Sequence, residues 1–331
     1  LFHGPEWLVL GVNNPCNFHC KMCDVGLGNT GTNFYANLMG AEPVNMPLAL
    51  MGRILDQAER HWPKVKIGFA FTEPLIYPHL AEAIAMAHAR GLHTALTTNG
   101  LQLEKKAVAL AEAGLDEVFV SLDGPPAHHD AHRHQGSFQK AIGVLQAAHR
   151  RRMATATITV LTQGNLEVVE PILQLAETHG FWAYFQPAYN DCFSHEQGLD
   201  PALGPGVLAD LARRLEQGRA AGRPVGASPG YLQRLARAPR FGDCSRCHAG
   251  RYFGTVMPDG MLVPCHLVSR RATPVDGLRH PGGFAGAFRD IGPPPAGPGC
   301  AISPYQESDL IFGLDAAAIA AAVRRLTRDI R

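Results

Sequence analysis

Cys16-Asn17-Phe18-His19-Cys20-Lys21-Met22-Cys23 places three thiols within one short stretch, spaced C-x3-C-x2-C. Side chains this close on one loop can all turn toward a single inorganic cluster. Cysteine thiolates are the usual holders of [4Fe–4S] clusters, and four of them would fill all four irons. Three leave one iron without a protein ligand and open to a small molecule. The same spacing also fits a zinc knuckle with His19 as the fourth ligand, since zinc sites usually take four. Cysteines scattered in a core are the third alternative.

Outward from this loop the chain alternates strand and helix. Trp7 to Val12 is a continuous apolar run that ends just before the cysteines, as a buried parallel strand does. Strands are expected at 65–71, 92–97, 117–122, 154–161 and 181–187, with helices from Pro47 and at 78–90, 104–113, 137–151 and 166–179. The first helix carries the apolar stripe Met51, Ile54, Leu55 and Ala58. Six strands with intervening helices mark a parallel α/β sheet curving into a barrel. A complete eightfold barrel takes about 250 residues. This repeat stops near residue 190, so the expected fold class is α/β, a partial (β/α)6 TIM-like barrel over residues 1–200. After Asp200 the pattern changes to helices at 205–221 and 228–238, then a hairpin over 253–263 turning at Asp259-Gly260. Pro281 to Gly299, rich in Gly and Pro, is expected to be irregular, and 314–328 a closing helix. Residues 201–331 are thus expected to form a small C-terminal extension.

Composition narrows the classes. Hydrophobic residues make up 46% and charged residues 18% of 331, the profile of a globular chain with ample core. Thirty basic residues against 29 acidic ones give +1, which offers nothing to a polyanion, so neither a nucleic-acid nor a membrane partner is expected. The apolar stretch Ala316 to Val323 is far shorter than the ~20 residues that span a bilayer. No basic segment followed by an apolar one opens the sequence, so the two groups among the eight cysteines, 16, 20 and 23 and then 244, 247, 265 and 300, read as metal or cluster ligands in the cytoplasm rather than disulfides.

Ligands of parallel barrels are met at the C-terminal ends of the strands, and four such ends here carry more than turn residues. They read Phe71-Thr72-Glu73-Pro74, Thr97-Thr98-Asn99-Gly100, Ser121-Leu122-Asp123-Gly124 and, after the fifth strand, Gln163-Gly164-Asn165. With the C-x3-C-x2-C loop before them and His129-Asp130-Ala131-His132-Arg133 among them, their order resembles the radical SAM superfamily. The resemblance implies a [4Fe–4S] cluster on Cys16, Cys20 and Cys23, with S-adenosylmethionine (SAM) on the open iron. It further implies Glu73 at the SAM amino group, Ser121 and Asp123 at the ribose, and Arg133, from the loop after the fourth strand, at the carboxylate. Asn99 falls near the cofactor, with Asn165 and Met22 beside the adenine. The glycines of the family's Gly-Gly-Glu-Pro element are replaced by Phe71 and Thr72, so only Glu73 carries over.

Cys244-x2-Cys247-x17-Cys265, with Gly260 followed by four residues and Cys265, is the second informative group, and Cys300 lies further on. It resembles the opening of the SPASM and twitch domains of that superfamily and implies an auxiliary [4Fe–4S] cluster. Cys300 as fourth ligand would close that cluster. Structural zinc is the competing assignment of a Cys-x2-Cys knuckle. Cys192 stands alone just past the sixth strand, as a hydrogen-atom donor or an inert thiol. Tyr184, Tyr189, Asp191 and His195 share the region as substrate candidates.

The resemblance implies an enzyme that takes one electron from an external donor such as flavodoxin or ferredoxin. It would cleave SAM reductively to a 5′-deoxyadenosyl radical and abstract hydrogen from a small polar or sugar-like intermediate. A peptide-modifying maturase is the alternative within that chemistry, and a non-enzymatic zinc- or cluster-binding module the alternative outside it.

Overall fold

The computed structural model describes residues 4–23, 25, 44–188, 203–237, 247–265, 274–293, 306–307, 310–311 and 314–329. Their strands form one nine-stranded sheet in the order β6-β5-β4-β3-β2-β1-β7-β8-β9. β1 (Trp7–Gly11), β2 (Lys66–Ala70), β3 (His93–Thr98), β4 (Glu117–Ser121), β5 (Ala154–Leu161) and β6 (Trp182–Pro187) are parallel, each beside its predecessor. The sheet does not close, and the expected partial barrel is what the chain builds.

Between the strands run α1 (Leu48–His61), α2 (Leu80–His88), α3 (Leu103–Glu112), α4 (Pro126–His132), α5 (Ser137–Arg150) and α6 (Val169–His179). Side-chain alternation decides which face meets them. Leu8, Leu10, Ile67, Phe69, Leu96, Val118, Val120, Ala183 and Phe185 join the main core with the apolar stripes of the helices, including Met51, Ile54, Leu55 and Ala58 of α1. Each Val, Leu, Ile, Phe or Met among them, fully buried, contributes about 1.5–3 kcal/mol. The opposite face looks into the lumen, where Ala95, Phe119, Ala156 and Tyr184 meet.

The lumen is filled at the N-terminal ends of the strands. Trp7 leans over Gly68, and the Lys66 ammonium lies 5.5 Å and 5.7 Å from the ring centroids of Trp7 and Phe119 while pairing with Glu117. A cation between two aromatic faces and a carboxylate closes this end without an unpaired charge. The other end, where the cysteine loop follows β1, is the mouth.

The C-terminal hairpin turns at Asp259-Gly260 as expected, but it extends the barrel sheet: β7 (Phe253–Val256) runs parallel to β1, and β8 (Met261–Val263) and β9 (Val275–Asp276) follow antiparallel. The helices beyond the barrel are α7 (Pro205–Ala220), α8 (Pro229–Arg237), α9 (Gly283–Asp290) and α10 (Ala316–Asp329). Two expectations need correction. Pro281 to Gly299 is not all irregular, because within it α9 buries Phe284, Ala285, Ala287 and Phe288, and Phe288 meets Trp62 edge-on at 5.4 Å. Tertiary burial overrides the glycines, which the composition counted as breakers. Residues 126–132, expected as a loop, form α4, started by Pro126 in its first turn.

Gly68 and Gly143 give opposite tests of this packing. A Cβ on Gly68 would stand 2.5 Å from Trp7 Nε1, whereas one on Gly143, inside α5, meets nothing within 4 Å. Gly68→Ala should destabilise by about 1–3 kcal/mol and Gly143→Ala should stabilise by about 0.5–1 kcal/mol. Thermal melts of the two variants check both signs.

Candidate functional site

The cysteine loop is held to three neighbouring strand ends. Buried Asn13, just past β1, donates from Nδ2 to the Glu73 carbonyl at 2.9 Å. Asn17 Oδ1 accepts from Asn99 Nδ2 at 2.8 Å, which ties the loop to the end of β3. The Lys21 N–H donates to the carbonyl of His132 at 3.0 Å and the Phe18 ring stacks on His134 at 5.0 Å, which ties it to the end of α4. Phe18, Cys20 and Met22 pack as a buried group with Val160 of β5 and Ala188 after β6.

Glu73 is fully buried at the start of a short helical turn, Pro74–Ile76. Oε1 accepts from the Leu75 N–H at 2.9 Å and the Thr98 hydroxyl at 2.6 Å, and Oε2 accepts from the Asn99 N–H at 2.7 Å. Burial still pushes its pKa above the ordinary carboxylate range against those donors. A cation arriving at this carboxylate would relieve that cost. Phe71, where the resembling family has glycine, adopts φ 103°, a strained conformation for any residue with a Cβ. Its ring covers Gly11, whose Cβ would come within 2.2 Å of it, and it packs with Val25 and with Met257, Met261 and Val263 of the hairpin. The backbone the missing glycine would allow is thus kept, and the side chain anchors the hairpin.

Asp123 and Arg133 form a buried ion pair. Asp123 Oδ1 also accepts from the Val160 N–H at 3.0 Å. Burial opposes the Arg133 charge, but Asp123, Cys20 and Cys23 outweigh it and raise its pKa. His129, also buried, accepts from the Asp123 N–H at Nδ1 (3.0 Å), so its proton sits on Nε2. Burial, aided by Arg133, lowers its pKa to about 4.

Burial pushes the Cys16 thiol up to about 11 and the Cys20 thiol up to about 12; both also feel Cys23, and Cys20 feels Cys16. Glu73 acts on Cys16 and Arg133 on Cys20, so the sequence-expected acid and arginine share one mouth with the thiols. Iron must therefore displace the protons from these sulfurs. Among the described residues no group of three or more His, Cys, Asp or Glu is already collected around a metal-ion position. The donor set fits a thiolate-held cluster with a zwitterionic ligand: three loop thiols, a buried carboxylate for a cation, and a buried guanidinium for an anion.

Other expected residues fall as follows. Ser121 ends β4 half-buried on the lumen face. Asn165 is buried, with its amide engaged by its own turn, donating to the Val160 carbonyl and accepting from the Thr162 N–H. Tyr184 is a buried lumen residue beside Phe119 at 6.0 Å. Cys247 is half-buried and Cys265 buried. They precede β7 and follow β8, which puts both at the end of the sheet opposite the Cys16–Cys23 loop. Cys192, Tyr189, Asp191, His195, Cys244 and Cys300 lie outside the described residues. Two lumen side chains were missed by sequence reasoning: Thr97 on β3, and Gln186, 5% exposed, on the face of β6 that Tyr184 shares. Alternation along the strands would have found both.

A family model, "Radical SAM superfamily", matches residues 12–176. The solved structure "Native anSMEcpe with bound AdoMet" superposes with a TM-score of 0.63 at 16% identity, over 82% of this chain and 77% of that one. The "Crystal structure of Streptococcus suis SuiB bound to precursor peptide SuiA" gives 0.66 at 14%, over 88% of this chain and 66% of that one. At such identities the likeness is one of fold.

His129 makes the fold acid-sensitive. Its imidazole takes a proton near 6.5 when unfolded but only near about 4 when folded. The stability it contributes is complete above 6.5 and is lost as pH falls through about 4, up to about 3 kcal/mol. Urea unfolding of metal-free protein between pH 7 and 4.5 should show this loss, and His129→Asn should flatten the slope relative to wild type.

Proposed function

Through residues 12–176 the chain belongs to the radical SAM superfamily, and we propose that this enzyme abstracts a hydrogen atom from a small, uncharged polar or sugar-like intermediate. The observation that carries this is the joining of the three-cysteine loop, Glu73 and the Asp123–Arg133 pair at one barrel mouth, above a lumen lined by Thr97, Ser121 and Gln186. When bound, the [4Fe–4S] cluster and SAM supply reductive carbon–sulfur cleavage, with one electron from a donor such as flavodoxin or ferredoxin, to methionine and a 5′-deoxyadenosyl radical.

The chain's residues do the rest. Cys16, Cys20 and Cys23 hold the cluster. Glu73 receives the SAM ammonium, Arg133 its carboxylate, Ser121 the ribose, and Met22 packs against the adenine. Asp123 serves by fixing Arg133 through their ion pair. The aromatic plug of Trp7, Lys66, Glu117 and Phe119 keeps water out of the lower lumen, which protects a radical from quenching. Lys66 is already matched by Glu117, so the lumen favours a substrate carrying hydroxyls or amides rather than net charge.

Cys244, Cys247 and Cys265, with Cys300 as fourth ligand, would hold an auxiliary [4Fe–4S] cluster able to take an electron from a substrate radical. Cys192 would return a hydrogen atom in an epimerisation. No described helix is long and apolar enough to cross a membrane, and the cytoplasm suits an oxygen-sensitive cluster. A peptide substrate is the second reading, favoured by the precursor peptide to which SuiB, one of the similar structures, is bound.

Anaerobic purification should yield brown protein with iron and acid-labile sulfide that forms 5′-deoxyadenosine from SAM under dithionite. Cys20→Ala should reduce that product to background. Cys265→Ala should lower iron content yet keep SAM cleavage. Zinc in place of iron in the wild type, or no 5′-deoxyadenosine, would overturn the assignment.

A further inference from the structure

Asn99 touches two parts of the mouth at once. Its backbone N–H donates to Glu73 Oε2 at 2.7 Å, and its side-chain Nδ2 donates to Asn17 Oδ1 at 2.8 Å. Its own Oδ1 accepts from the Leu101 N–H at 3.0 Å. That third bond settles which way the amide points, since the oxygen faces Leu101 and the NH2 must face Asn17. Asn99 is 7% exposed, so little water is available to replace a lost partner. Both ends of its amide are engaged by protein, which leaves it placed to act on the cofactor through other groups.

Asn17 stands next to Cys16, while the loop's ties to α4 fall further along it, at Phe18 and Lys21. The Asn17–Asn99 bond therefore holds the Cys16 end of the loop. We propose that the Asn17–Asn99 pair is a positioning latch that sets the register of the three-cysteine loop against Glu73. It rests on the function proposed above, in which the open iron and Glu73 grip the same SAM molecule. Two grips on one small ligand work only at a fixed separation, and a misplacement of about 1 Å can cost a hundredfold in rate. The latch spans that separation through one side chain and one backbone N–H.

A double-mutant cycle tests it. In Asn17→Asp the new carboxylate still accepts from Asn99. In Asn99→Asp the new carboxylate accepts from the Asn17 amide once that amide rotates by half a turn. Only the double variant sets two carboxylates face to face. The four proteins are reconstituted anaerobically and titrated with SAM, reading iron content, melting temperature, the SAM dissociation constant and the change in the reduced cluster's EPR spectrum on SAM addition. Each single variant should stay within about threefold of wild type, since one hydrogen bond is retained. The double should bind SAM about tenfold more weakly than the product of the singles, equivalent to about 1.4 kcal/mol of coupling. Its EPR change should be diminished, with iron content and melting temperature held.

An additive cycle in proteins that all load iron overturns the latch and leaves the functional reading intact, whereas wild-type protein without a cluster or SAM binding overturns both. If the double variant does not fold or load iron, Asn99→Ala is titrated instead. About tenfold weaker SAM binding supports the latch, and wild-type binding overturns it.

Discussion

A carboxylate with no access to water organises the mouth of this barrel. Glu73 gathers donors from the ends of two strands, through Thr98, Asn99 and Leu75, while its carbonyl accepts from Asn13 at the end of a third. A buried acid is tolerated only when its oxygens are satisfied, so the ends of β2 and β3 are pinned to one another by the need to solvate it, and the backbone bond from Asn13 adds the end of β1. The cysteine loop inherits that order, because Asn13 leads into it and Asn99 reaches back to Asn17. The geometry of the thiols is thus a consequence of where one acid is buried.

A second buried charge does comparable work on the β4–β5 side. Ion pairs out of water gain little net stability over apolar packing, and breaking one leaves an uncompensated charge. The Asp123–Arg133 pair is better understood as orientation than as stabilisation. Asp123 is fixed by the Val160 N–H and by its own N–H to His129, and Arg133 is fixed by Asp123. The guanidinium is held charged beside Cys20 and Cys23. A neutral His129 suits this arrangement, since a second cation there would repel the first.

The βα alternation was legible from residue 7 to 187 because its strands are largely buried and rich in apolar and β-branched residues, set between amphipathic helices. The motifs at its ends were legible as well, but their contacts were not. Ser121 and Asp123 look equivalent two residues apart, yet one ends a strand facing the lumen and the other is enclosed in an ion pair. Asn99 and Asn165 were placed near the cofactor by resemblance, and both have their amides engaged by protein. α9 was hidden by its glycines, since what makes it a helix is the burial of Phe284 over Gly277 and of Phe288 against Trp62, just past distant α1. The replacement of glycine by Phe71 was visible, but its positive φ and its grip on the hairpin arise only in the folded chain.

The parallel pairing of β7 with β1 fixes where Cys265 stands relative to the first cysteine loop. Because β7 rises beside β1 and β8 returns, Cys265 comes level with Trp7, while Cys16 follows the other end of the same strand. Five residues of strand at about 3.3 Å each separate those ends by about 15 Å. Groups that far apart cannot touch one another. Between them lie the small side chains Gly68, Ala95 and Ala156, and the neutral polar Thr97, Ser121 and Gln186. The fold separates Cys16 from Cys265 by the length of a strand, and along that length Trp7 covers Gly68 while Phe119 and Tyr184 pack over Ala95 and Ala156.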